Sequence, residues 1–503
     1  MSKSLDDLLV EYFHPEKLKA AFKAYEEAKT DFFESTINVP MGADGISYET
    51  FARELDCRCR FISNRVLKGT YQFYPFRQID KPKPSGGERV LSIATIRDVL
   101  VQKVLYDALY NKVEKKFQAT PKLDKVSCAY RKRKSAPYAA TLIHRHVQQG
   151  FIYALDADIV KFFDRISHPR LIALIEENFG RNTLATNLLR RFVKTGGLSY
   201  KDELGKPRPK SFFHEEKPNR QVVLRTQGIP QGGVLSGMLA NFYLHEFDCW
   251  VVHELSSRYN LRYVRYADDF VLLLKESSAI SLVHEEVTQR LQDMELELHS
   301  EPKTKYVDIA KNPLEFVGFQ FTLENIKVKP ENINKFKNRV LEKICKEPSY
   351  RSGKNPKRRL KGFIKNAINK KVLGRGEEIC PLCSGVIGER VKSWMGFFAV
   401  VTDIEQLRKL DKWIRREVSA HFYKTYQIRF KRSDFKTAGL ASLEQEYYRL
   451  HKRKACSCEP LNSSPDSDSA ELQWEHLIFV KTLFLALSFF LLSLFSWLLT
   501  PDS

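Results

Sequence analysis

The chain is poor in cysteine, with nine in 503 residues, too few and too scattered for the disulfide framework of a small secreted scaffold. It also lacks an apolar run at its start. The opening MSKSLDDLLVEYF carries Asp6, Asp7 and Glu11 where a secretory signal needs an uninterrupted hydrophobic stretch. A reducing, cytoplasmic setting for the body of the chain is the expectation. Acid is in deficit: 61 Asp and Glu stand against 82 Lys and Arg, a formal charge of +21. Such an excess points to a polyanionic partner, nucleic acid or an anionic membrane face, rather than to an inert basic surface. No internal repeat is present. With 43% hydrophobic and 28% charged residues the composition is globular, which excludes a disordered tail protein and a collagen-like fibre. The length allows roughly two to four domains.

Residues 1–35 read as helix, with Leu8, Leu9, Tyr12 and Phe13 at helical spacing. Residues 72–95 read as a β-hairpin whose turn, KPSGGE, supplies Gly86 and Gly87 for the positive φ angles such a turn needs. A helix follows over 96–117, and short strands alternate with helices from about 150 to 325. Beyond 330 the pattern is helical only: Ile333, Phe336, Val340 and Ile344 step by three and four, as do Ile404, Leu407, Leu410, Ile414 and Val418. Residues 351–371 are strongly basic and contain no Asp or Glu.

The most informative element is YADD, residues 266–269, between RYVR and FVLLL. β-Branched and aromatic flanks place the two acids at the turn of a hairpin. Adjacent carboxylates repel, and a polyvalent cation relieves that repulsion; taken alone, an Asp pair is equally an ordinary turn former. A second acidic strand shifts the balance. In FIYALDADIVKFFDRI, residues 151–166, Asp156 and Asp158 alternate onto one face of a strand. If that strand lies beside the hairpin, Asp158 meets Asp268 and Asp269. Three carboxylates can hold two Mg²⁺ ions about 3.5–4 Å apart, one activating a hydroxyl and one steadying a leaving pyrophosphate. Hard oxygen ligands favour Mg²⁺ or Mn²⁺ over zinc. Between the strands, GIPQGGVLSG brings Gly228, Gly232 and Gly233, which allow close backbone approach to a template or nucleotide, or simply make a strand-to-helix turn.

Taken in order, MGADGIS, KPKPSGGERVLSIATIRDVLVQ, SCAYRKRKSA, DIVKFFD, GIPQGGVLSG, YADD, EPKTK and EFVGFQF resemble the reverse transcriptases, most closely the bacterial group II intron-like branch. The similarity runs from about residue 40 to 425. It implies an α/β (α+β) right-hand polymerase: a helical extension over 1–40, fingers and palm over 41–325, and an all-helical, maturase-like thumb over 326–430. A polar linker (431–476) and a C-terminal apolar helix (477–500) follow. It further implies that Asp158, Asp268 and Asp269 are the metal-binding catalytic acids, with the backbone carbonyl of Ile159 also on metal. Phe163, five positions past Asp158, matches the gate that excludes a ribose 2′-hydroxyl; Phe162 beside it reads as core. Lys83 and Arg89 match triphosphate-contacting positions, although as bare charges they read equally as a solvated face. Gln231 matches a residue beside the incoming nucleotide. Lys303 matches a flexible lysine near the pyrophosphate, a candidate general acid. Gly318 falls in a primer-grip turn. The acid-free 351–371 stretch suits phosphate contacts along an A-form duplex. The implied partners are an RNA template, a DNA primer and dNTPs, with a dedicated non-coding RNA and self-association left open.

Three features depart from a mobile-intron protein. No His/Asn-rich nuclease segment with paired CxxC motifs follows the thumb-like region. Cys380 and Cys383, with Cys456 and Cys458, either close a zinc site or are ordinary reduced thiols; Cys57 and Cys59 read as surface. Residues 482–499 are uncharged and apolar and span about 27 Å as a helix, which suits a single inner-membrane anchor, a partner-docking helix or a buried one. A polar, basic segment over 199–226 reads as an inserted loop. The lack of a nuclease segment and the anchor-like helix resemble a defence-associated enzyme more than a transposing one.

Overall fold

The structure, a computed structural model, describes residues 4–30, 36–82, 88–132, 134–199, 224–347, 355–373, 375–379, 386–391 and 394–451. The chain divides into two units, one built from Met1–Tyr130, Leu155–Val271 and Ser278–Lys305, the other from Arg131–Ala154, Leu272–Ser277 and Tyr306–Ser503. The architecture is mixed α/β. Strands β1 (Phe76–Pro82), β2 (Glu88–Ile93), β3 (Tyr153–Asp158), β4 (Gly197–Ser199), β5 (Arg262–Tyr266), β6 (Asp269–Leu274) and β7 (Lys305–Asp308) form two sheets. Their orders are β2-β1-β4 and β5-β6-β3-β7.

In the first unit, the expected single helix over 1–35 is two, Leu5–Tyr12 and Pro15–Lys29. Pro15 lacks an N–H and so starts a helix instead of continuing one, and His14 caps it by accepting from the Glu16 N–H. Leu9, Phe13, Leu18 and Phe22 are buried. The expected hairpin is present as β1 and β2, antiparallel with Lys81 opposite Arg89; Lys83, Gly86 and Gly87 lie outside the described residues. The Ile96–Phe117 helix starts at Thr95, whose side chain accepts from the Asp98 N–H. It buries Leu100, Val101, Leu105 and Leu109. Asp98 is buried too, and is met by the Tyr71 hydroxyl at 2.6 Å and the Tyr74 N–H at 2.9 Å. Cys57 is exposed, but Cys59, expected at the surface, is buried on the inner side of the Leu55–Leu67 helix. Two residues along a helix are about 200° apart, so one of a CxC pair turns inward.

The GIPQGG segment leads into the helix Ser236–Trp250, buried from Ser236 through Leu244. Phe247 on this helix packs against Tyr263 of β5 and Phe270 of β6, at centroid distances of 6.0 and 5.6 Å. The hairpin carrying YADD therefore rests on a helix apolar nearly all round.

The second unit holds a meander of β8 (Leu314–Phe316), β9 (Phe319–Phe321) and β10 (Ile326–Val328). Its tight turn uses Gly318 at φ +91°. The Pro330–Cys345 and Ile404–Tyr426 helices carry the two apolar stripes read from sequence, burying Phe336, Val340 and Ile344, and Leu407, Leu410, Ile414 and Val418. Gln406 ties the second to β10, accepting from the Val328 N–H at 2.9 Å. The region after 330 is not helical throughout, however. β11 (Arg375–Ile379) and β12 (Val386–Val391) pair antiparallel. The helical reading missed this short hairpin because its period-two signal is diluted by three glutamates and two glycines. Cys380, Cys383, Cys456, Cys458 and residues 200–223 lie outside the described residues. Among the described residues no helix is long and apolar enough to cross a membrane; residues 482–499 lie outside them.

Candidate active site

Alternation along β3 buries Ala154, Leu155 and Ala157 and leaves Asp156 and Asp158 half-buried. Across the sheet, the 266–269 turn joins β5 to β6, with Ala267 at φ +62° and buried. A non-glycine residue in that region is strained and persists where its surroundings over-determine it. Here the restraint is Arg265, whose side chain is 0% exposed. Its Nε donates to Asp248 at 2.8 Å, and its Nη1 donates to Asn241 and to the Ala267 carbonyl, each at 2.9 Å. The Tyr263 hydroxyl also donates to Asp248, at 2.9 Å.

Of the three sequence-predicted aspartates, Asp158 acts on the other two. Burial raises the Asp268 carboxyl above the usual carboxylate range, and the charge of Asp158 raises it further, against Arg89 and Lys303. Asp269 keeps an open face to solvent, yet surrounding protein raises it well above that range. Asp268, Asp158 and Asp156 add to the effect, and Lys303 opposes it. Lys303 Nζ donates to Asp158 Oδ2 at 2.9 Å and lies 3.0 Å from His299 Nε2, while Lys305 stands 3.7 Å from Asp156. Among the described residues no three His, Cys, Asp or Glu side chains converge closely enough to enclose a metal ion. The donor set nonetheless fits a hard divalent cation, because several carboxylates repel one another and lysines offset only part of that charge.

Ile159 pairs with Leu298 in an isolated antiparallel bridge. The flanking bonds run from His299 N–H to Asp158 carbonyl and from Val160 N–H to Glu297 carbonyl, each 2.8–2.9 Å. In such a pair the central residue's own carbonyl points away from its partner, which leaves the Ile159 oxygen uncommitted to the Leu298 strand.

Phe162 is buried and Phe163 partly open. Gln231 Nε2 donates to Asp164 at 3.2 Å and its carbonyl accepts from the Ser92 N–H at 2.7 Å, which fastens the GIPQGG loop to β2. Arg89, exposed on β2, lowers the Asp268 carboxyl; Lys83 lies outside the described residues.

Sequence reading missed Arg265, Asp248, Asn241 and His299. A signal existed for the middle two: polar residues seven apart, hence on one face, in an otherwise apolar helix. His299 had none beyond proximity to EPKTK.

Residues 80–321 match the family described as reverse transcriptase (RNA-dependent DNA polymerase). The protein YkfC of Escherichia coli K12 is 25% identical over 279 residues, covering 49% of this chain and 66% of that one. The group II intron-encoded protein LtrA of Lactococcus lactis is 29% identical over 214 residues, 42% of this chain and 29% of its own length. The chain thus spans less than two thirds of these curated relatives. A telomerase from Candida albicans, solved with a fragment of telomeric RNA, is similar at a TM-score of 0.44 and 14% identity, over 90% of this chain and 68% of that one. Residues 80–321 thus carry a reverse transcriptase domain, similar in sequence to group II intron-encoded proteins.

Proposed function

We propose that the chain is an RNA-directed DNA polymerase that adds dNTPs to a primer 3′-hydroxyl along an RNA template. One observation carries the reading: Asp158, at the end of β3, lies close enough to Asp268 and Asp269, at the β5–β6 turn 110 positions on, for its charge to raise both of their carboxyls. With the Ile159 carbonyl they would hold two Mg²⁺ or Mn²⁺ ions, which when bound would make the primer hydroxyl more acidic and offset charge on the departing pyrophosphate. The reaction forms a bond from the primer 3′-oxygen to the α-phosphorus as that oxygen's proton passes to solvent, and breaks the α-phosphorus bond to the bridging oxygen. Lys303, whose ammonium stands at the carboxylate cluster, gives a proton to the leaving pyrophosphate. Arg89 balances triphosphate charge. Gln231 holds the floor of the nucleotide site to the fingers hairpin, and Phe163 closes it against a 2′-hydroxyl. Primer extension on an RNA template with dNTPs and Mg²⁺ tests this: extension supports it, and none under any template and ion condition rejects it.

A second reading, a maturase that folds intron RNA, is favoured by the basic helix Pro356–Phe363 and its π-helical continuation Ile364–Leu373. Lys357, Lys361 and Lys365 are exposed there, while Leu360, Phe363, Ile364 and Ala367 are buried. Exposed cations on one helical face bind phosphates irrespective of sequence. Splicing that survives Asp268→Ala/Asp269→Ala would favour it. The setting expected from sequence, phage defence, with the template RNA left open, is tested by phage challenge. Protection that disappears with the two aspartates supports it, and equal plating rejects it.

A further inference from the structure

Tyr130, in the SCAYRKR segment, takes no part in the chemistry above. Its backbone lies at φ +57° and its side chain is 46% exposed. An aromatic residue in the left-handed region is strained, and the chain leading into it is fastened at several points. The Cys128 N–H donates to the Arg265 carbonyl and the Arg265 N–H to the Val126 carbonyl, both at 2.9 Å. Asn241 Nδ2 donates to the Ala129 carbonyl at 2.6 Å, and Ser127 Oγ bonds Asn241 Oδ1 at 3.1 Å. Asn241 also accepts from Arg265. The residues that restrain the YADD turn therefore restrain Tyr130 as well.

That restraint aims the ring. A Cβ at Gly237 would stand 2.4 Å from Tyr130 Cγ, so glycine is what admits the ring to the helix surface. The ring also meets Phe163, edge to face, at 6.2 Å between centroids and 80° between planes. Phe163 meets Phe162 in the same manner at 5.7 Å, and Phe162 is buried. The gate ring thus contacts both a buried core ring and Tyr130. Surrounding protein raises the Tyr130 phenol, with Asp268 the next contributor and Arg89 opposing, so the ring lies within electrostatic reach of both.

We propose that Tyr130 is a specificity-determining residue of the nucleotide site: its ring backs Phe163 and fixes where the gate stands against the sugar 2′ position, so that ribonucleotides are rejected. Without it Phe163 loses one of these two ring contacts and swings clear of a 2′-hydroxyl. The proposal rests on the polymerase reading.

The test is the ratio of kcat/KM for dCTP to that for CTP, on one RNA template and DNA primer. Tyr130→Ala lowers the ratio by about 3- to 10-fold, the scale of one lost ring contact. Tyr130→Phe keeps it, because the ring and not the hydroxyl acts. Gly237→Ala, which displaces the ring without removing it, lowers it as Tyr130→Ala does, and Phe163→Ala marks full loss of the gate. An active Tyr130→Ala enzyme with the wild-type ratio, beside a Phe163→Ala enzyme that has lost it, overturns the proposal and leaves the polymerase reading intact. A wild-type chain that extends with neither nucleotide overturns the polymerase reading itself.

Discussion

The Arg265 guanidinium donates to the carbonyl of Ala267 at 2.9 Å while its Nε donates to buried Asp248 at 2.8 Å. One side chain thereby anchors the strained residue between Tyr266 and Asp268 to the helix beneath the hairpin. Arg265→Met leaves Asp248 buried without its cation, and the loss of one partner of a buried pair costs about 3–5 kcal/mol. Urea titration measures this. Arg265→Met/Asp248→Leu removes both charges and recovers part of the stability, but nothing then holds Ala267. Nucleotide incorporation by the double variant stays well below wild type. Full recovery of rate would show that Arg265 serves stability alone.

Asp44, in the MGADGIS segment, is held by burial at a pKa of about 6, with Asp98 adding to the rise and the Ile46 N–H opposing it. The unfolded value is about 3.9. Between these values the native state binds more proton than the unfolded state, so this group's contribution falls as pH rises. Below pH 4 it is fully present; above pH 6 it is gone. Asp44→Asn lacks the penalty, so its melting temperature equals that of wild type near pH 4 and exceeds it near pH 7. Thermal melts at both pH values check this, and a constant difference would contradict it.

Lys303 bonds Asp158 at 2.9 Å with 45% of its side chain exposed, so it is anchored at the carboxylates yet free to follow a leaving group. Lys303→Ala lowers kcat by about 10²–10⁴-fold, the range of general acid catalysis, with a smaller change in KM for dNTP. Single-turnover kinetics separate the two. A change confined to KM would make Lys303 a binding residue.

Gly228 adopts φ +74°, and a Cβ there would lie 2.7 Å from the Asp164 carbonyl oxygen. Its N–H donates to the Ile166 carbonyl at 2.8 Å, and that of Ile229 donates to the Phe163 carbonyl at 2.7 Å. Gly228→Ala therefore pushes the GIPQGG loop off the segment bearing Phe163. The expected result is a loss of about 1–3 kcal/mol and a raised KM for dNTP; unaltered stability would argue against the packing.

Much of this was legible in the sequence because period and chemistry coincide there. β1, β2, the Ile96–Phe117 helix, β3 and the YADD hairpin all follow from alternation, capping or turn residues within a few positions. The acids were legible for the opposite reason, since carboxylates in strands of Val, Ile and Phe run against local preference. What escaped were features fixed by distant partners. Arg265 looked like one more cation of a basic chain, and only the fold reveals Asp248 and Asn241 waiting for it. The 375–391 hairpin escaped because its strands are short and polar. The break at Pro15 was visible in the sequence but lay inside a run whose apolar spacing continued across it.

The most direct measurement is primer extension by wild type, Asp158→Asn and Asp268→Ala/Asp269→Ala at matched melting temperature, with and without a divalent-ion chelator. Extension by wild type that the chelator abolishes, together with its loss in both variants, is the predicted result. Extension that persists in the folded double variant would contradict the assignment of catalysis to these carboxylates.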